Sequence, residues 1–290
     1  MKKNLTSAIV VILLVATSCS KSFIERPPVA TVTTDAVYKT DKDFSDALIG
    51  AYRGLQVVYA NMWQFGDLRG DDAWINISNQ PSSTAVDLFS INSSDALLNN
   101  TWANYYIVIS RANNILAKIE TADPNVVKNK DRYIGEAKFL RGLAYFDLVR
   151  IFGDLQLITT VPTVAEVKNT PRTPAAKIYS DLIIPDLTDA VAKLPVSYTG
   201  TEVGRATKGA ATAILGRAYL TTKDFPKAEA ALTTLTKAPF TYALLANFND
   251  LFDYTKNEHH SEYIFDIEYE EGLGGLGSIF TCNSPVCQQL

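Results

Sequence analysis

The sequence predicts a mainly α protein in which helix pairs stack on one another, and three observations carry that prediction. Apolar residues recur at three- and four-residue steps through several long segments. The segment 136–152 carries two such stripes side by side, so it needs neighbours on two sides. Residues 204–237 place small side chains where two antiparallel helices would cross, a spacing similar to the tetratricopeptide pattern.

Ahead of the helices stand Lys2 and Lys3, an apolar run from Ala8 to Ala16, and the small residues Thr17 and Ser18 before Cys19. This is the layout of a secretory signal peptide. About nine apolar residues make roughly 13 Å of helix, well short of the ~20 residues that span a bilayer. The residues before Cys19 resemble a bacterial lipobox, with Ala16 where Leu is more usual. Residues 1–18 are therefore expected to be a lipoprotein signal peptide and Cys19 the acylated start of the mature chain. Acyl chains worth ~0.8 kcal/mol per buried methylene hold a soluble domain at a membrane surface.

Composition is that of a globular protein, with 47% hydrophobic and 20% charged residues in a chain of 290. The net charge of −4 becomes −6 without Lys2 and Lys3 (25 basic against 31 acidic residues), so no nucleic-acid footprint is present.

The elements follow in order. The polar, proline-containing stretch 20–35 should run extended to the first helix. Residues 41–59 form that helix, with Phe44, Ala47, Leu48, Ala51, Tyr52 and Leu55 on one face and Thr40 as N-cap. Residues 62–84 lack a sustained period and read as a long loop or short helical turns. A second long helix spans 96–120, with Leu98, Trp102, Tyr105, Ile109, Ala112 and Leu116 in step.

The third helix carries Phe139, Leu143 and Phe146 beside Leu140, Ala144, Leu148 and Ile151, burying about half its circumference, and ends at Gly153 and Asp154. Thr173 and Pro174 read as the N-cap and first residue of a fourth helix, kinked at Pro185 and closed by Pro195. In 204–237, Leu215, Gly216, Tyr219, Phe225 and Ala228 mark the hairpin, with Ala211, Gly216 and Ala218 admitting close backbone approach. Beyond Thr241, alternation around Ile264, Phe265, Ile267 and Tyr269 predicts a strand or irregular extended segment, followed by a glycine-rich loop.

Motifs of catalysis are few. Gly272, Gly274 and Gly277 satisfy G-x-G-x-x-G, but no helix pattern follows and only 13 residues remain after Gly277, so no dinucleotide site and no cofactor is expected. His259 and His260 are adjacent, which suits a surface loop better than a metal site. Cys282 and Cys287 pair locally or stay free. Hydrolase and phosphate-binding signatures are absent, and an enzyme is not expected. Trp63, Arg69, Asp72, Trp74 and Asn76 form the candidate ligand site. Flat sugar faces stack on Trp, while Arg, Asp and Asn bond vicinal hydroxyls.

Several blocks together resemble the SusD/RagB family of outer-membrane nutrient-binding lipoproteins of the Bacteroidetes. They are "CSKSFIERPP", "WANYYIVISRANNIL", "GEAKFLRGLAYFDLVRIFGDLQLI", "IYSDLIIPDLTDAVAKLP", "GRATKGAATAILGRAYL" and "NEHHSEYIFDIEY". The resemblance implies a right-handed superhelix of tetratricopeptide-like helix pairs, lipid-anchored at Cys19 in the outer membrane and facing the exterior. It implies capture of oligosaccharides, or peptides in some members, and their delivery to a SusC-like TonB-dependent transporter. Residues 19–290 would be the family's N-terminal helical-repeat domain. Members are usually longer, so the resemblance also implies that a C-terminal portion is missing and the ligand site incomplete. The alternative is a repeat scaffold that binds a peptide or protein.

Overall fold

The computed structural model describes residues 37–70, 73–75, 81–252 and 259–269. Residues 1–18, Cys19, the Gly272 loop and the Cys282/Cys287 pair lie outside them.

Helix α1 (Asp41–Tyr59) starts at a capping box. Thr40 Oγ1 accepts the Asp43 N–H and Asp43 accepts the Thr40 N–H in return. Its apolar face buries Phe44, Leu48, Ala51, Leu55 and Val58, the stripe that the spacing predicts. Two short helices, α2 (Met62–Gly66) and α3 (Pro81–Asp87), stand in the stretch read as loop or helical turns. Helix α4 (Ala96–Glu120) is capped by Asp95, whose carboxylate accepts the Leu97 N–H at 2.8 Å, and it buries Tyr105, Val108, Ile109, Ala112 and Ile115.

Helix α5 (Lys130–Phe152) lies at the centre, against α1, α4 and the helices that follow. The two stripes predict burial over half its circumference. In fact every residue from Phe139 to Val149 is buried, because the polar positions Arg141 and Asp147 also point inward and find partners there. A two-stranded antiparallel ribbon follows, β1 (Leu155–Gln156) on β2 (Arg172–Thr173), enclosing α6 (Val164–Asn169).

The next helical rod differs from the expectation at its start. Thr173 pairs with Leu155 in the ribbon, Pro174 takes the N-cap position, and α7 (Ala175–Ile178) receives its capping carboxylate from Asp154, which accepts the Ala175 N–H at 2.8 Å. A side chain 21 residues away does the work expected of Thr173. Ahead of Pro185 the rod widens into a π turn (Tyr179–Ile183), with the Ile184 N–H reaching Tyr179 O, and continues as α8 (Ile184–Lys193). The wide turn accommodates the N–H that proline lacks and its bulky ring, so the helix continues through the proline. Leu194 and Pro195 end it.

Helices α9 (Lys208–Thr221) and α10 (Phe225–Thr234) form the expected hairpin. A Cβ on Gly216 would stand 2.5 Å from Leu232 Cδ2, so the helices cross here at a distance that any larger residue would open by displacing Leu232. Phe225, one of the residues that mark the hairpin, is 60% exposed, because α10 is the edge helix of the described stack and packs chiefly on α9. Along the chain α1, α4, α5, α8, α9 and α10 each pack on the next, which is the mainly α, stacked-pair architecture that the sequence predicts. Residues 262–269 form no ladder and lie as an irregular strap on the stack, with Phe265 edge-on to Phe139 at 4.9 Å between ring centres.

Two buried polar clusters lock the stack. Arg141 makes a bidentate pair with Asp186 of α8 at 2.7 and 3.0 Å and donates to Asn113 of α4 at 2.7 Å. Asn113 in turn donates to Ile158 O and Thr160 O. The second cluster joins Glu136 to Arg205 at 3.1 Å and to the Tyr52 hydroxyl at 3.0 Å, with Arg205 reaching Glu202 and Ser45. Burial raises the Glu136 carboxyl above its usual range, and Arg205 opposes that shift.

Removing one member of a buried ion pair strands the other. Arg141→Met is expected to cost about 3–5 kcal/mol in urea denaturation, and the double change Arg141→Met/Asp186→Leu is expected to recover much of it.

Candidate functional site

The loop between α1 and α4 is built on buried polar contacts and ends in exposed aromatic ones. Gln64 of α2 is buried. It accepts the Ser83 hydroxyl of α3 at 2.7 Å and donates to Asn61 at 3.0 Å, so α2 and α3 are held together. Leu68 is the apolar plug beneath the loop. Asp87, at the end of α3, accepts the Ile75 N–H at 3.1 Å and fixes the residue next to Trp74.

Above this base, Trp74 is 73% exposed and Phe89 66% exposed, with Leu88 beside it. The Arg69 guanidinium lies 4.2 Å above the centre of the Phe89 ring, a cation–π contact. Phe89 holds a left-handed backbone conformation (φ 53°), uncommon for a bulky residue, and this follows directly on the end of α3. Trp74 and Phe89 each expose an apolar ring, and Phe89 sets its ring against an exposed arginine, groups suited to stacking on sugar rings and bonding their hydroxyls.

Of the residues expected here, Trp74 and Arg69 are exposed, and Arg69 packs on Phe89. Trp63 is half-buried in α2, where its carbonyl accepts the Asp67 N–H at 2.8 Å. Asp72 and Asn76 lie outside the described residues. Phe89 and Leu88 are not among the residues that the sequence singles out. Their only signal is a pair of large apolar residues followed by the polar turn "SINSSD", in phase with neither flanking helix. Trp102, the remaining tryptophan, packs with Tyr106, Phe152 and Arg172 and serves the helix stack.

The strap forms a second region. It roofs a cavity of about 540 Å³ lined by Tyr59, Leu143, Ile214, Arg217, Phe265 and Tyr269. A cavity of about 360 Å³ lies against Tyr198, Arg205, Tyr242, His259, Tyr263 and Asp266. Below the first of these, Asp147 accepts hydroxyls from Tyr59 and Tyr105 at 2.8 and 3.0 Å. Burial pushes its carboxyl above the usual range against those bonds. His260, read as a surface-loop residue, is half-buried and stacks on Tyr263 at 4.2 Å, whereas His259 is exposed. Among the described residues, His259, Asp266 and Glu268 each place a donor atom within 4.8 Å of the other two. No helix among the described residues is long and apolar enough to cross a membrane.

Residues 29–220 match a family model described as "Starch-binding associating with outer membrane", of the SusD-like type. A SusD-like protein of Formosa agariphila, P2, is 30% identical over 283 residues, covering 92% of this chain and 53% of its own. A SusD superfamily protein from Bacteroides vulgatus superposes with a TM-score of 0.71 at 26% identity, over 80% of this chain and 51% of that one. A laminarin-binding SusD-like protein gives a TM-score of 0.72 at 27% identity, over 79% and 51% of the two chains. The chain spans about half the length of the curated relatives it matches.

Asp87→Ala frees the Ile75 N–H, and a charge-assisted hydrogen bond is worth about 1.5–3 kcal/mol. Trypsin cleavage after Arg69 is therefore expected to accelerate by roughly tenfold or more under conditions where the fold is intact, as read by limited proteolysis.

Proposed function

The chain belongs to the SusD-like family, and from that premise we propose that it is a glycan-binding lipoprotein that captures oligosaccharides at the outer membrane. In this reading Cys19 carries the lipid and residues 1–18 are removed as the signal peptide. The protein faces the cell exterior and hands its ligand to a SusC-like TonB-dependent transporter, without cleaving it. The observation that carries the reading on this chain is the exposed Trp74, Phe89 and Arg69 surface, built on the buried Gln64–Ser83 contact. Membership of the family supports a sugar as the occupant. A solved relative is named for laminarin binding, which makes a β-glucan a natural first probe beside starch.

Affinity electrophoresis and calorimetry against starch, laminarin and other polysaccharides test the ligand. Trp74→Ala and Phe89→Ala should each weaken binding at least tenfold, about 1.4 kcal/mol, with far-ultraviolet circular dichroism unchanged. Unaltered binding by both folded variants would remove this surface from the site. Binding to none of the polysaccharides would remove the glycan reading.

Cys19→Ala tests the anchor. The variant is expected to leave the outer-membrane fraction or to accumulate uncut. A variant still processed before residue 19 and still membrane-bound would refute lipidation there.

A further inference from the structure

The strap brings together three side chains that stand apart in sequence. Nε2 of His259 lies 3.3 Å from Oε1 of Glu268. One ligand atom each from His259, Asp266 and Glu268 falls within 4.8 Å of the other two. An imidazole and two carboxylates within that reach differ from a surface ion pair, because they bring three donors together instead of two.

Three further observations favour a ligand there. Asp266 is only half exposed and lines two adjoining cavities, yet its carboxylate makes no hydrogen bond or ion pair among the described residues. Arg205 lines the same two cavities but is committed to Glu136 and Glu202 at 3.1 and 2.6 Å, so it does not neutralise Asp266. The Glu268 carboxylate rests against Gly204, at φ +90°, in space that a Cβ would fill. The main chain beneath the donors is fixed as well. Gln56 Nε2 donates to Glu268 O at 2.6 Å and the Tyr269 hydroxyl donates to Gln56 O at 2.7 Å.

We propose that His259, Asp266 and Glu268 bind one first-row divalent cation, and the donor set assigns zinc as the best match. Zinc takes imidazole nitrogen and carboxylate oxygen readily, whereas calcium and magnesium prefer oxygen alone. Three protein ligands leave a coordination position open, and it is filled by water or by an oxygen of a molecule in the adjoining cavity. The ion replaces the direct His259–Glu268 contact and ties the turn at 259 to the strap at 266–268. This site is separate from the Trp74 surface and does not rest on the glycan reading.

The test is calorimetric titration of Zn²⁺ into the metal-stripped full chain, with Ca²⁺ and Mg²⁺ as comparison ions. The expected result is one Zn²⁺ per chain and a higher Tm. His259→Ala, Asp266→Asn and Glu268→Gln should each weaken binding tenfold or more, while Cys282→Ser/Cys287→Ser and His260→Ala keep it. Failure to bind Zn²⁺, affinity that survives all three ligand changes, or loss of binding in the cysteine variant would each overturn the proposal. So would Ca²⁺ binding in preference to Zn²⁺. Should a ligand variant unfold, Co²⁺ in the unaltered chain decides. Nitrogen and oxygen ligation gives visible absorption without a thiolate charge-transfer band, and a thiolate band or no band at all counts against the site.

Discussion

Arg141 is the side chain on which the helix stack turns. It sits on the central helix α5, and its guanidinium serves α8 through Asp186, α4 through Asn113, and the 158–160 segment through Thr159 O and the carbonyls that Asn113 holds. An arginine has donors enough to satisfy all of these at once, in a rigid planar fork that lysine cannot imitate. A buried pair of this kind adds little net stability over apolar packing, but it accepts few alternative registers. Helices faced with leucine and alanine could slide by a turn. Arg141, Asp186 and Asn113 meet in one arrangement.

Much of the stack was legible because helix faces obey local rules. Phe44, Leu48, Ala51 and Leu55 repeat with the helical period, Thr40 precedes them, and both features are visible without knowledge of any neighbour. What escaped the reading depended on residues far apart in the chain. Thr173 has the right chemistry for a cap, yet Leu155 claims it for a ribbon and Asp154 supplies the cap instead. The inward turn of Arg141 and Asp147 is equally non-local, since a charged residue on a helix reads as solvent-facing until its partners are known.

The candidate site divides along the same line. Trp74 stood out as a large aromatic residue in a stretch without periodicity, and it is exposed. Phe89 did not, because its setting depends on Arg69, 20 residues earlier, whose guanidinium lies over its ring, and on a left-handed backbone at its own position. The His259, Asp266 and Glu268 group follows no compact ligand motif, and the adjacent His260, which looks like its natural companion, is turned aside onto Tyr263. Spacing rules find ligands that share a helix face. They are blind to ligands brought together by a strap.

That strap also alters how the molecule comes apart. A row of helix pairs in which each touches only its neighbours can fray from either end, one unit at a time. Here the side chain and carbonyl of Gln56, in the first helix, are bonded to residues 212 and 213 positions later. The strap is thereby tied back to the first helix. Opening α1 requires releasing the strap, and lifting the strap uncovers Phe139 at the centre, so the first helix and the middle are coupled to lose their structure together.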